Sequence, residues 1–326
     1  MFLISNIEDS DPALNLALEE YCLRNLNPGF EYLLFYINRP SVIIGRHQNP
    51  FQEFNQKLAH QKGICLVRRI SGGGAVYHDP GNLNFSFITD FTEERLDYFK
   101  TLIKPILNTL QRLGVPARLT EKNNILVNGK KVSGNSQHTN MRRMLSHGTL
   151  LFDSKLEFLQ RVLDSSLVIT QSRAVSSIKA GVTNICEHLR YPMDMDAFRS
   201  EMMDGISGAF GRLRKFRLTD RDWEAVQHLV KNKYQSWDWN FGRSPEFTVH
   251  HKIRLDSGHV DANFVVKNGI IKTIELANQP VKLSSARKLI NDFIGERYDL
   301  MCTGDITVKE LHGWQCISNR TYFASS

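Results

Sequence analysis

Strand-like and helix-like periodicities interleave along this chain in no regular order, and that limits its fold more than any other feature. Leu14, Ala17, Leu18 and Tyr21 recur at helical spacing behind Asp11 as a cap and Pro12 in the first turn. Two apolar runs follow at 32–37 and 41–44, separated by Asn38-Arg39-Pro40, and read as two strands with a turn. A further strand is expected over 65–70. Residues 82–89 alternate, with Leu83, Phe85 and Phe87 on one face. An amphipathic helix is expected over about 93–113, striped by Phe99, Leu102, Ile103, Ile106, Leu110 and Leu113, with a kink or break at Pro105. Asn128-Gly129 between apolar runs predicts a tight hairpin. Another strand is expected over 144–152, and helices over 156–163, 194–210 and 220–234. After the Gly- and Pro-interrupted stretch 237–245 the pattern becomes strand, Asn268-Gly269 hairpin, strand, then a helix over about 284–294. This order predicts an α+β fold, a mixed-sheet α/β arrangement rather than a wound βαβ one. It divides into residues 1–245 and a smaller α/β unit over 246–326.

The 326 residues, 41% of them hydrophobic, suffice for one large core or one large and one small. No run of eighteen uncharged apolar residues is present, and the N-terminal stretch lacks the basic start and apolar run of a signal peptide. The five cysteines, Cys22, Cys65, Cys186, Cys302 and Cys316, form no C-x-x-C pair, so neither a zinc site nor a disulfide framework is expected, and a reducing cytoplasm fits. A net charge of +7 attracts nucleic acid, nucleotides or acidic proteins alike and selects none of them; the densest basic run, 212–217, reads as solvated surface.

Three clusters carry chemistry. In the first, Arg68-Arg69-Ile70-Ser71 leads into Gly72-Gly73-Gly74 and then Ala75-Val76-Tyr77-His78-Asp79. Consecutive glycines after a strand let backbone approach a ligand, and their N–H groups can cradle an anion. The arginine pair adds positive charge suited to carboxylate or phosphate. The block matches neither a Walker A loop nor a dinucleotide fingerprint. In the second, Lys130-Lys131-Val132-Ser133-Gly134 follows the Asn128-Gly129 turn, so one lysine faces solvent and the other can face a pocket. The third is His147-Gly148-Thr149 at a strand start, where a histidine is more often structural than catalytic. A polar strand-to-loop segment, Gly45-Arg46-His47-Gln48-Asn49-Pro50, is equally ambiguous.

Taken together, the motifs GRHQNP at 45–50, RRISGGGAVYHDPGN at 68–82, KKVSGNSQ at 130–137, HGTLLF at 147–152, VTNI at 182–185 and SWDWNFGRSPEF at 236–247 resemble the lipoate–protein ligase family over nearly the whole chain. The resemblance implies a biotin/lipoate ligase-like catalytic domain related to class II synthetases, followed by the family's small C-terminal accessory domain. It implies activation of lipoate with ATP and Mg²⁺ to lipoyl-AMP. Transfer then goes to a lysine of acceptor lipoyl domains of 2-oxoacid dehydrogenase E2 subunits or of the glycine cleavage carrier protein, by a cytoplasmic monomer that needs neither nucleic acid nor membrane. By position, Arg69, Gly72, Gly73, Gly74, Ala75, Val76, Tyr77 and His78 match the ATP and lipoyl-adenylate contacts. Lys131 matches the lysine that touches both the lipoyl carboxyl and the α-phosphate. Arg46, Asn82, Asn123, Asn124, Ser133 and His147 are secondary candidates; the metal ligands stay open. Val76, Phe85 and Phe87 are expected to line a slot for the apolar tail.

The chain departs from the family at one place. An Arg-Asn-Asp preceding the lysine hairpin reads Lys122-Asn123-Asn124, so an amide replaces a carboxylate and the ATP-dependent half reaction is in question. Relatives that move acyl groups between carriers use a cysteine shortly before that hairpin. Residues 115–124 contain none, which sets a transferase behind a ligase. A non-catalytic binding protein, holding lipoate or, through its positive charge, nucleic acid, is the remaining alternative.

Overall fold

The computed structural model describes residues 1–6, 8–92, 98–164, 169–177, 181–255, 258–277, 293–298 and 306–307. Its elements begin with β1 (Phe2–Ser5), α1 (Pro12–Asn25), β2 (Tyr32–Tyr36), β3 (Ser41–Ile44), α2 (Pro50–Glu53), α3 (Gln56–Gln61), β4 (Cys65–Arg68), β5 (Val76–His78) and β6 (Asn82–Asp90). There follow α4 (Tyr98–Arg112), β7 (Ala117–Leu119), β8 (Ile125–Val127), β9 (Lys130–Ser133), β10 (Asn135–Thr139), β11 (Arg143–Leu151), α5 (Leu156–Val162) and β12 (Ile169–Ser172). The last are α6 (Met195–Phe210), β13 (Arg214–Lys215), α7 (Asp220–Leu229), α8 (Trp237–Asn240), β14 (Phe247–Leu255), β15 (Gly258–Lys267), β16 (Ile270–Ala277) and β17 (Ile306–Thr307).

Among the described residues the largest sheet runs β10-β11-β6-β2-β1-β13, parallel at β2-β1-β13 and antiparallel elsewhere. Alternation along its strands divides the core in two. Leu33, Phe35, Leu83, Phe85 and Phe87 point to the α4 and α6 side, where they meet Leu102, Ile106, Phe198 and Met202. Tyr32, Leu34 and Ile88 point to the other side, under α1 and α7. Helix α1 starts as expected: Pro12 opens it and Asp11 accepts a hydrogen bond from the Ala13 N–H. It is buried on every face from Pro12 to Leu23, not along one stripe. Helix α4 continues through Pro105 without the break that was one of the two expected outcomes there. Its apolar stripe holds it against α6, which crosses so closely that a Cβ on Gly205 would strike the Thr109 hydroxyl. The part of that helix expected over 93–97 lies outside the described residues.

Strands β2 and β3, expected as neighbours across a turn, belong to different sheets; β3 pairs in parallel with β4 and antiparallel with β5. Asn38 between them is buried and bonds inward to Asn15 and His78, which carries the chain out of the large sheet instead of back along it. Strands β7, β8 and β9 form a third sheet, and β12-β14-β15-β16, with β17 on β14, a fourth. Both Asn-Gly hairpins form, with positive φ at Asn128, Gly129, Asn268 and Gly269, as a type I′ turn requires. The expected helix over 284–294 lies outside the described residues except for its last two.

Candidate functional site

A cavity of about 380 Å³ opens where the small sheets meet the large one. Its mouth is set by Lys122, Asn124 and Lys131 from the lysine hairpin, by Gly73 and Gly74 of the glycine block, and by Val175, Ser176 and Ser177. Its inner wall is made by the buried residues Leu16, Tyr36, Ile43, His78, Asn84 and His147, with Val76 beside them. Hairpin alternation works as expected: Lys130 is exposed, and Lys131 is half-buried in the cavity. Burial, then the charge of Arg69, push the Lys131 ammonium below the ordinary lysine range. Its backbone is pinned as well, by Lys131 N–H to Gly181 C=O at 2.7 Å and Thr183 N–H to Lys131 C=O at 3.2 Å.

The glycine block is held from beneath. Arg69 donates from Nη2 to the carbonyls of Gly72 and Gly74 at 2.6 and 2.8 Å, from Nη1 to Ile43 at 3.1 Å, and from Nε to the Ser71 hydroxyl at 3.0 Å. Gly73 has φ +90°, and a Cβ there would lie 3.0 Å from Arg69 Nη2; a Cβ on Gly45 would collide with the Gly73 carbonyl. The loop at 45–50 and the glycine block therefore clasp each other, with Arg46 N–H on Ser71 C=O at 2.8 Å. Arg68, expected to offer charge to an anion, does not: it is buried and spends its guanidinium on the carbonyls of Gly45, Arg46, Gln48, Trp239 and Asn240. It ties the 45–50 loop to α8, which is structural work.

Behind the cavity runs a buried polar chain. Ser71 Oγ lies 2.7 Å from His147 Nε2, and His147 Nδ1 lies 3.0 Å from Glu19 on α1. Tyr36 and Ser86 also donate hydroxyls to Glu19. Burial alone would raise the Glu19 carboxyl, but the His147 charge and these hydrogen bonds outweigh it and hold the group below its usual value. The set has the outline of a Ser-His-acid triad, yet Ser71 is 0% exposed and accepts from Arg69, so no substrate atom reaches its hydroxyl.

Of the expected site residues, Arg69, Gly73, Gly74, Ala75, Val76, His78, Asn124, Lys131 and His147 meet in the cavity wall. Gly72 lies just behind it, its carbonyl accepting from Arg69 and from Ser136. Tyr77 turns away, since its neighbours Val76 and His78 take the inward face of β5; its ring packs on Phe158 instead. Arg46, Asn82, Asn123 and Ser133 are not in the wall. Phe85 and Phe87 are not either: they face the α4 core, and the same strand offers the cavity Asn84. The apolar lining is Leu16, Ile43, Ala75, Val76, Leu126 and Val175, of which Leu16 and Ile43 are buried.

Three groups escaped sequence reasoning. Glu19 sits in a helix buried all round, and a carboxylate there demands partners; only the all-round burial, invisible in a single stripe of leucines, reveals it. Ser177 accepts the Ala75 N–H at 2.9 Å and donates to Glu53, fastening the segment after β12 onto the glycine block. Tyr36 closes the inner wall. No aspartate or glutamate lines the cavity among the described residues, and no cluster of His, Cys, Asp and Glu there could hold a metal. The side-chain oxygens of the wall are neutral amides and hydroxyls, among them Asn124 and Asn135, and Asn135 Oδ1 is buried without a hydrogen-bond partner.

Residues 11–207 match the lipoyl protein ligase A/B catalytic domain, and residues 244–301 match the bacterial lipoate protein ligase C-terminus. Lipoate-protein ligase LplJ of Bacillus subtilis (strain 168) is 40% identical over 308 residues, covering 94% of this chain and 93% of its own. Among solved structures, a lipoate-protein ligase A bound with ATP is similar with a TM-score of 0.63 and 27% identity, over 74% of this chain and 98% of its own. A bi-partite lipoate protein ligase from Thermoplasma acidophilum, studied with its E2 lipoyl domain, gives a TM-score of 0.63 at 26% identity, over 74% of this chain and 95% of its own. Catalytic domain, C-terminal unit and fold agree, and the chain belongs to the lipoyl protein ligase A/B family.

Proposed function

We propose that this protein is an ATP-dependent lipoate–protein ligase, and that residues 1–245 carry the chemistry while 246–326 serve as the accessory unit. The observation that carries the reading is one cavity whose buried inner end sets Leu16, Ile43 and Val76 among hydrogen-bonded polar groups, and whose mouth bears Lys131 and the glycine block. An acid with an apolar tail enters tail first and leaves its carboxylate at Lys131. The carboxylate attacks the α-phosphorus of ATP, the bond to the β-phosphate bridge breaks, and pyrophosphate leaves. Lys131 then faces both the carboxyl and the α-phosphate and offsets the charge that builds on them. The N–H groups of Gly73 and Gly74 can hold phosphate oxygens at the mouth, while that of Ala75 is given to Ser177. In the second step the ε-amine of an acceptor lysine attacks the carbonyl, the bond to AMP breaks, and the amine gives up a proton.

Magnesium enters as part of the ATP substrate. With no carboxylate in the wall among the described residues, the neutral oxygens of Asn124 and Asn135 would meet it, and a hard ion that keeps its waters and phosphate ligands suits such a set. A cysteine thioester route is disfavoured: Cys22, Cys65 and Cys186 all lie outside the cavity wall, and burial raises each thiol. The acceptor is a lipoyl domain, as the pairing of the T. acidophilum ligase with its E2 lipoyl domain supports. No helix of the described residues is long and apolar enough to cross a membrane; we place the work in the cytoplasm, by a monomer, where ATP and apo lipoyl domains coexist.

The test is to incubate the protein with lipoate, ATP, Mg²⁺ and an apo lipoyl domain, and to weigh the acceptor while following pyrophosphate. Acceptor lipoylation together with pyrophosphate release is expected. Lipoylation from supplied lipoyl-AMP with no release from ATP would turn the reading into an adenylate-using transferase. A protein that binds lipoate and modifies nothing would overturn it.

A further inference from the structure

The inner end of the cavity holds one hydrogen-bond donor that neither the fold nor the reaction above uses. His78 lies on β5, is 3% exposed, and lines the wall beside Val76. Its Nδ1 faces the amide nitrogen of Asn38 at 2.9 Å. The other end of that amide, its oxygen, takes an N–H from Asn15 at 2.9 Å. Asn38 therefore donates to the ring, His78 Nδ1 accepts, and the single proton of the neutral imidazole sits on Nε2. Burial first, then the charges of Arg69 and His147, push the His78 pKa down to about 3, so the ring is neutral wherever the enzyme works. That Nε2–H has no partner among the described residues.

The other polar groups of this inner wall are engaged. Tyr36 donates to Glu19, both His147 nitrogens are taken, and Asn84 donates to the Tyr36 carbonyl at 3.2 Å. A buried donor without an acceptor is unfavourable until something supplies a lone pair. An all-carbon tail supplies none. A sulfur does, as a weak acceptor. Lipoate carries its carboxylate at one end of a saturated chain and a five-membered disulfide ring at the other. With the carboxylate at Lys131, the ring lies at the inner end.

We infer that His78 donates its Nε2–H to a ring sulfur of lipoate, and so makes the site prefer a sulfur-bearing acid over a carbon isostere of the same shape. The inference rests on the lipoate-ligase reading. It assigns His78 to substrate selection and gives Asn38 and Asn15 the task of fixing its tautomer.

The experiment compares lipoate with 5-cyclopentylpentanoate, in which two carbons replace the two sulfurs, by acid-dependent pyrophosphate release in the wild type and in His78→Leu. The wild type is expected to favour lipoate in kcat/KM by about 3- to 30-fold, and His78→Leu to bring the ratio close to one. Both acids are measured on the same preparation, so a partly unfolded variant changes the two rates alike and leaves the ratio untouched. A wild-type ratio near one overturns the inference, with or without an active variant, and so does a His78→Leu ratio equal to that of the wild type. A wild type that activates neither acid instead overturns the ligase reading.

Discussion

At the scale of single residues the cavity holds a cation that the free protein does not want. Lys131 is half-buried, and burial and Arg69 both push its proton off. Nothing in the cavity wall among the described residues bears a carboxylate to offset it. Such a group stores unfavourable free energy that an arriving carboxylate or phosphate releases. The linkage has a definite sign. Between the lowered folded pKa and the unfolded value of about 10.4, the unfolded chain binds more protons, so this residue makes stability rise with pH through that window. Lys131→Met is therefore expected to abolish pyrophosphate release while stabilising the ligand-free protein, by about 0.5–2 kcal/mol in urea unfolding. A destabilised variant would show that the ammonium is already well paired. Asn124 gives a second residue-level prediction. Asn124→Asp places a hard anionic oxygen in the wall, and the Mg²⁺ concentration for half-maximal adenylation is expected to fall; an unchanged requirement would place the metal elsewhere.

At the scale of elements, function depends on loops that cannot accept a side chain, and they fail for different reasons. Gly129 has φ +80° with open space around a Cβ, so Gly129→Ala carries only the backbone strain of about 1–2 kcal/mol. Gly45 has no positive φ, but a Cβ there meets the carbonyl of Gly73, and a backbone oxygen cannot swing aside as a side chain does. Gly45→Ala is expected to spread the clasp between the 45–50 loop and the glycine block. It should cut adenylation at least 100-fold, while Gly129→Ala leaves most activity and lowers only the unfolding midpoint. Equal activity in the two would mean that the clasp is not needed. The same contrast explains what could be read beforehand. The two Asn-Gly turns, the strand over Leu83, Phe85 and Phe87, and the split of Lys130 from Lys131 are local rules, and they hold. The separation of β2 from β3 and the inward turn of Arg68 depend on partners far along the chain, Asn15 and His78 for one, Trp239 and Asn240 for the other. No window of neighbouring residues contains those partners. Phe85 and Phe87 were placed on one face correctly; which side of the sheet held the cavity was not a property of their strand.

For the whole molecule, the buried histidines decide how the fold meets acid. His78 stands in the cavity wall against the large sheet. His251 lies in β14, bonded to the Tyr298 hydroxyl at 2.8 Å and edge-on to Phe264. Burial, then Arg69 and His147, take His78 to about 3; burial, then His250, take His251 to about 4. Unfolded, both titrate near 6.5. Below that pH the unfolded chain binds protons that the folded chain refuses, so ν_U exceeds ν_N and stability falls as the pH falls. Each histidine contributes a slope of up to about 1.4 kcal/mol per pH unit. Both act between about 6.5 and 4, and below 4 His78 acts alone. Because one sits in each part of the chain, acid strains the catalytic cavity and the C-terminal sheet over the same range. Urea unfolding from pH 7 to pH 4 is expected to show a steep decline. His251→Gln and His78→Gln should each remove about half of that histidine-driven decline. A stability that stays level down to pH 5, or declines unchanged in both variants, would mean that the two imidazoles find water or a proton acceptor in the folded state. The unpaired His78 donor would then be lost as well.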